Sequence, residues 1–225
     1  MVIKIWHGSE KIIKKPMYNE GKIHNDYGKG FYCTESKELA KEWACKEIGK
    51  DGFANCYEFD TDGLKILDLS DDKYNVLNWL AILAFNRNFK TSLSVAREAK
   101  KYLINNFGIN TDDYDIIKGY RADDSYFAFA RAFVNNQISV DELERAMKLG
   151  KLGEQIVLKS PKAFERIKYV EYEIAENQKY YHRRLERNKK AEDDFTELLI
   201  NADIKGLHII DIMRKEEENN DWGMQ

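Results

Sequence analysis

Near its start the chain carries two short motifs that mix glycine with a polar or aromatic group. Val2 to Ile5 leads into Trp6-His7-Gly8-Ser9, and a polar stretch leads through Gly28-Lys29-Gly30 into Phe31-Tyr32-Cys33-Thr34. The first run is β-rich and weakly alternating, so it reads as a strand ending at His7. Gly21 to Gly30 is glycine-punctuated and polar, hence a loop, with Phe31 to Cys33 a short strand leaving it. Thr34 then stands in an N-cap position before Glu35 and the helical spacing Leu39, Trp43, Ile48, which stops at Gly49. The order strand, loop, strand, helix places both motifs at strand ends, where a side chain can meet a ligand beside closely approaching backbone.

Further on, Phe53 to Asp60 and Leu64 to Leu69 read as strands joined by a turn at Asp62-Gly63. Asn75 to Arg87 and Ser92 to Asn105 carry helical periodicity, and Tyr114 to Tyr120 returns to β character. Asp124 or Ser125 caps a helix through Phe127, Ala130 and Phe133, and Ser139 opens a capping box with Glu142. Gln155 to Leu158 and Ile167 to Ile174 are the last strands, separated by a helical turn over Pro161 to Arg166. From Glu176 onward the chain is charge-rich, with sparse apolar positions at Tyr180, Leu185, Phe195, Leu198 and Leu199, and a second amphipathic piece spans Leu207 to Met213. The class is α+β: a domain over residues 1–175 and a helical extension over 176–225.

Composition narrows the function classes. The 225 residues are 43% hydrophobic, enough for a substantial core, and only two are proline, which argues against long disordered linkers. The cysteines, Cys33, Cys45 and Cys56, show neither CxxC nor Cys/His ligand spacing, so no disulfide framework and no metal site is expected, and a reducing cytoplasmic setting fits best. No apolar run nears the roughly 20 residues of a membrane span, and no secretory signal pattern opens the chain. A net charge of -3 from 36 basic and 39 acidic residues gives no global attraction to nucleic acid. No strand-linked GxGxxG is present, which argues against a hydride-transferring dinucleotide enzyme.

Taken in order, Ile5-Trp6-His7-Gly8-Ser9, Gly28-Lys29-Gly30-Phe31-Tyr32 and Glu154-Gln155-Ile156-Val157 resemble the three successive motifs of the histidine-tyrosine-glutamate class of ADP-ribosyltransferases, which includes diphtheria toxin and the poly-ADP-ribose polymerases. The texture is closest to a small bacterial intracellular branch often found as the toxin of a toxin-antitoxin pair, and the resemblance covers residues 1–175. It implies a split β-sheet core with flanking helices, NAD as co-substrate, a macromolecular acceptor and an antitoxin protein as partner. It further implies that His7 binds the adenosine ribose, that Gly8 offers its backbone to the nicotinamide amide beside Gly30, and that Ser9 adds a ribose contact. Tyr32 would stack on the nicotinamide, Trp43 would close the sandwich, and Glu154 would hold the nicotinamide ribose and stabilise the oxocarbenium charge.

Two points stay open on the residues alone. Glu154 and Gln155 cannot both face one pocket of a regular strand, and Glu154 is the better third member because a carboxylate stabilises positive charge where a neutral amide does not. Gly119-Tyr120-Arg121-Ala122-Asp123-Asp124-Ser125 lies between a strand and a helix, so Arg121 either grips the pyrophosphate or pairs with Asp123 beside a capping Asp124. Taken singly, His7, Tyr32, Trp43 and Glu154 all have ordinary structural explanations; only their order in one chain points to NAD. The resulting expectation is a mono-ADP-ribosyltransferase with catalytic His7, Tyr32 and Glu154, the alternatives being NAD glycohydrolysis and a non-catalytic nucleotide- or partner-binding module.

Overall fold

The computed structural model describes residues 1–89, 93–122, 127–149 and 154–221. In chain order the elements are β1 (Val2–Ser9), β2 (Phe31–Cys33), α1 (Lys37–Ala44), β3 (Gly52–Asp60), β4 (Ile66–Asp68), α2 (Val76–Asn86), α3 (Ser94–Phe107), β5 (Ile116–Tyr120), α4 (Phe127–Val134), α5 (Val140–Leu149), β6 (Glu154–Leu158), α6 (Pro161–Glu165), β7 (Ile167–Ala175), α7 (Asn177–Ile200) and α8 (Ile209–Asp221). This is the α+β class expected from the sequence. None of the described helices is long and apolar enough to cross a membrane.

The chain forms two compact units: Met1–Lys73, Asn110–Arg121 and Leu152–Lys189 make one, and Tyr74–Ile109, Ala122–Lys151 and Lys190–Gln225 the other. The units interleave along the sequence, whereas the division expected from composition follows the chain.

The first unit holds two sheets, a three-stranded one in the order β1-β3-β7 and a four-stranded one in the order β2-β6-β5-β4. All pairings are antiparallel except β4 with β5. The two sheets meet through one backbone pair: Trp6 donates to the Thr34 carbonyl at 2.7 Å and accepts from the Thr34 amide at 2.9 Å. Ile5, Tyr57 and Phe59 of the first sheet form one buried cluster with Cys33, Ile156 and Leu158 of the second. Trp6, Ala40, Ala54 and Cys56 form another beneath α1.

Helix α1 is shorter than its sequence pattern. Ser36, not Thr34, is the N-cap, its hydroxyl accepting from the Leu39 amide, because Thr34 is held extended by its bridge to Trp6. The helix ends at Ala44 rather than near Gly49. There the buried Asn177 carboxamide donates to the carbonyls of Glu47 and Lys50 and accepts from the Gly49 amide, at 2.7 Å in each case. The Asp62-Gly63 turn forms with Gly63 at φ 67°, a conformation glycine adopts freely. It does not join a hairpin: β3 belongs to one sheet and β4 to the other. The start of the C-terminal helix is tied to α1, with Tyr180 donating to Glu38, Arg183 pairing with Glu38 at 2.7 Å and Arg187 with the buried Glu42 at 2.8 Å.

The second unit is helical, with α2 packed on α3 and α4 on α5. Asn75 caps α2 through a capping box with Asn78. The Ser139–Glu142 box forms as its spacing implies. Glu142 is 2% exposed and accepts from the Ser139 amide at 2.7 Å, the Ser139 hydroxyl at 3.0 Å and the Asp203 amide at 2.8 Å. The Asp124 and Ser125 caps fall outside the described residues. Because Glu142 satisfies buried donors from two segments, Glu142→Ala should cost about 2 kcal/mol, read as a lowered urea-unfolding midpoint. An unchanged midpoint would show that the box is solvated.

Candidate functional site

His7 lies one residue beyond the bridge that joins the sheets, on the same strand face as Ile5. Its ring stacks on Phe31 with centroids 4.3 Å apart, and its Nδ1 lies 2.7 Å from the Tyr32 carbonyl oxygen. A carbonyl can only accept, so the geometry assigns the proton to Nδ1 and leaves Nε2 as an acceptor. Burial pushes the His7 pKa down to about 4, against a smaller upward pull from the Tyr32 carbonyl. The ring is therefore neutral at physiological pH and suited to accept a hydrogen bond from a hydroxyl.

Gly8 has two distinct reasons to be glycine. A Cβ there would overlap the Ala40 carbonyl oxygen, so β1 can lie against α1 only without a side chain. In addition, Trp6 spends its N–H and C=O on Thr34, and backbone groups alternate along a strand, so those of Gly8 point to the same edge, toward β2. Ser9 makes a different contact from the one expected: its hydroxyl donates to the Lys11 carbonyl at 2.5 Å and accepts from Asn55. The fully buried Asn55 also donates to the Lys11 carbonyl and accepts from the Ile13 amide at 2.9 Å, clamping the loop that leaves β1.

The far end of that loop is fastened by Tyr32. Its hydroxyl donates to the Gly28 carbonyl at 2.6 Å and accepts from the Tyr27 amide at 3.1 Å. Buried Tyr27 donates to the Tyr120 carbonyl at 2.6 Å, and Lys159 donates to the Tyr27 carbonyl at 2.9 Å, its ammonium pushed below the ordinary lysine range by burial. Gly30 is needed for packing, since a Cβ there would press on Val157 and the Leu158 carbonyl.

Strand β6 separates the two candidates for the third corner. Tyr32 pairs with Val157, so Tyr32, Val157 and Gln155 share one face of the sheet. Cys33 pairs with Ile156, so Glu154 shares the other face, the one whose Ile156 and Leu158 pack with Ile5. Gln155 is 4% exposed. It donates from Nε2 to the buried Asp26 carboxylate at 3.1 Å, while its Oε1 is buried with no hydrogen-bond partner among the described residues. It thus holds the loop, not the open side expected of a cofactor-binding residue. The Glu154 side chain is 42% exposed and pairs at 2.9 Å with Lys118, which lies 4.0 Å from Asp68. Hydrogen bonding to Glu154 raises the Lys118 pKa above the ordinary value.

Trp43 and Arg121 meet each other. The guanidinium lies 4.8 Å from the indole centroid, a cation–π geometry, and the indole Nε1 is buried with no partner among the described residues. A ring facing Arg121 leaves Trp43 one face at most for a ligand. Asp123 and Asp124 lie outside the described residues.

His7 and Gly8 on β1 and Tyr32 on β2 thus lie where the two strands diverge, Glu154 is in phase with the His7 side, Tyr32 shares the opposite face with Gln155, and Gln155, Gly30 and Ser9 hold or pack the loop. Sequence reading missed Asn55, Tyr27 and Lys118. An asparagine inside an apolar strand and a lysine inside Ile116-Ile117-Lys118 are the local signals that could have found two of them.

A split two-sheet α+β unit with a motif on each strand bordering the split defines the structural class. Residues 3–169 match the family described as Protein of unknown function (DUF3990), and the chain belongs to that family. No curated protein and no solved structure matches it.

A neutral, half-buried histidine makes stability depend on pH. The unfolded ring binds its proton near pH 6.5 and the folded ring only near 4, so the His7 contribution is fully present above 6.5 and is lost as the pH falls through this window. Between pH 7 and 4 the wild type should lose about 3 kcal/mol more than His7→Gln, measured by urea unfolding. Parallel pH profiles would show that the folded ring titrates normally.

Proposed function

We propose that this protein is a NAD-dependent mono-ADP-ribosyltransferase acting on a macromolecular acceptor. The observation that carries the reading is the placement of Gly8 and Glu154. The Gly8 backbone groups point to the β1 edge facing β2, and the half-exposed Glu154 carboxylate is in phase with the His7 side of the sheets. A carboxamide matches one backbone N–H and one C=O on a single residue, so Gly8 suits the nicotinamide amide. Neutral His7, with Nε2 as acceptor, suits a ribose hydroxyl. Tyr32 shares the Gln155 face of the sheet, opposite Glu154, and with its hydroxyl held by Gly28 it fixes the end of the loop that enters β2.

In the proposed reaction the bond between ribose C1′ and the nicotinamide nitrogen breaks, its electron pair leaving on nicotinamide, and the acceptor forms a new bond to C1′. Glu154 stabilises the positive charge that develops on the ribose and takes the acceptor proton on its way to solvent. Lys118 opposes the first role as long as it pairs with Glu154. Asp68 gives that lysine a second carboxylate within reach.

Incubation with labelled NAD and a bacterial extract should release nicotinamide and label a macromolecule. Glu154→Gln keeps the shape and removes the charge, and should lower nicotinamide release at least 100-fold, in line with loss of one preorganised electrostatic group. Gln155→Ala should leave most of the rate. Nicotinamide release without macromolecular label would identify a glycohydrolase, and no NAD turnover with any extract would overturn the reading. We further propose a toxin role, checked by growth arrest on expression that Glu154→Gln relieves.

A further inference from the structure

The segment between the first two motifs runs from Glu10 to Gly30 without a helix or strand, a length usual for functional loops rather than connections. Both of its stems are site elements. Asn55 clamps it directly after His7-Gly8-Ser9, and Tyr32 and Gln155 fasten it at Gly28 and Asp26. Tyr57 adds a hydroxyl hydrogen bond to the Ile13 carbonyl at 2.5 Å. Both ends of the loop are therefore held by side chains of the strands that carry the motifs.

Its charge departs from that of the molecule. From Glu10 to Gly30 it carries five lysines against two glutamates and one aspartate, four of the lysines within residues 11–24, in a chain of net charge -3. Lys11, Lys14, Lys15 and Lys22 are all exposed, and none carries an ion pair among the described residues. Lysines elsewhere in the same unit do find carboxylates, as Lys37 and Lys41 do on Glu173. Apolar groups interleave the loop cations: Met17 is 56% exposed, Ile23 62% and Tyr18 48%, the last with its ring 5.7 Å from that of Phe164.

We propose that this loop binds single-stranded nucleic acid and presents it as the acceptor, an inference that rests on the transferase reading of the site. Clustered lysines gain most from a partner whose regular charges release condensed counterions, which a phosphodiester strand does and a short acidic peptide does not. Exposed aromatic and apolar groups between them suit unpaired bases, which are hidden in a duplex. Transfer breaks the C1′–nicotinamide bond, forms a bond from C1′ to a base nitrogen or a hydroxyl or phosphate oxygen, and passes any acceptor proton through Glu154 to solvent.

The test is fluorescence anisotropy of labelled 12-nucleotide RNA and DNA strands with the full chain at several salt concentrations, alongside nicotinamide release from NAD. Four phosphate contacts correspond to a slope of about -3 in log affinity against log salt. Lys14→Glu/Lys15→Glu/Lys22→Glu should weaken binding at least tenfold and flatten the slope. Reversal of two lysines on α7 instead, Lys189→Glu/Lys190→Glu, should do neither. Comparing the RNA and DNA arms identifies which strand is the source of the phosphates. Wild-type NAD turnover without salt-dependent oligonucleotide binding, or label confined to an acidic protein, overturns this inference and leaves the transferase reading intact. Oligonucleotide binding lost in the triple variant, without NAD turnover, removes the acceptor role and overturns the transferase reading instead.

Discussion

The backbone pair between Trp6 and Thr34 is the constraint on which the candidate site depends. It holds β1 and β2 together at one point. On one side of it the two sheets share a core of Ile5, Tyr57, Cys33 and Ile156. On the other, β1 continues to Ser9 along β3 with its second edge unpaired by β2. A strand edge is a row of backbone donors and acceptors that wants a partner. Gly8 follows a neutral histidine on that edge, and on β2 the Tyr32 hydroxyl is already committed to Gly28.

Charge is distributed unevenly around that edge. His7 contributes an acceptor without a charge because burial suppresses its protonation. Glu154 is the carboxylate on the His7 side, and it is opposed by Lys118, whose other neighbour is Asp68. This exposed pair contributes little to stability in water, so its interest is chemical rather than structural. Arg121 is occupied in part by the Trp43 ring, which orders α1 and the end of β5 against each other without adding a further carboxylate. Strand alternation sends the two neighbouring residues to opposite faces: Gln155 faces Asp26 and the loop, and Glu154 faces the other way.

Much of the fold was legible because it follows from local periodicity. The strands at residues 2–9, 116–120, 154–158 and 167–175, the Asn75 start of α2 and the Ser139–Glu142 box all carry their signals within a few residues. What was not legible depends on distant partners. Thr34 looks like a cap until Trp6 takes its backbone, and the pattern after Ala44 looks helical until Asn177 binds the carbonyls of Glu47 and Lys50. For the candidate site, the motifs put His7, Gly8, Tyr32 and Glu154 on β1, β2 and β6, where the strands lie in the folded chain. The supports were hidden, since nothing near Asn55 or Lys118 in the sequence names Lys11 or Glu154 as a partner. Trp43 and Arg121 were read separately, and only the folded chain brings them to 4.8 Å.

The central claim is that the unpaired β1 edge at Gly8 receives the nicotinamide end of NAD. Amide-resolved NMR during titration with NAD tests it most directly. The Gly8 amide should shift and its hydrogen exchange slow, with smaller changes at His7 and Tyr32 and none at Gln155. Saturating NAD that leaves Gly8 unperturbed, or that shifts a cluster of amides elsewhere, would contradict it.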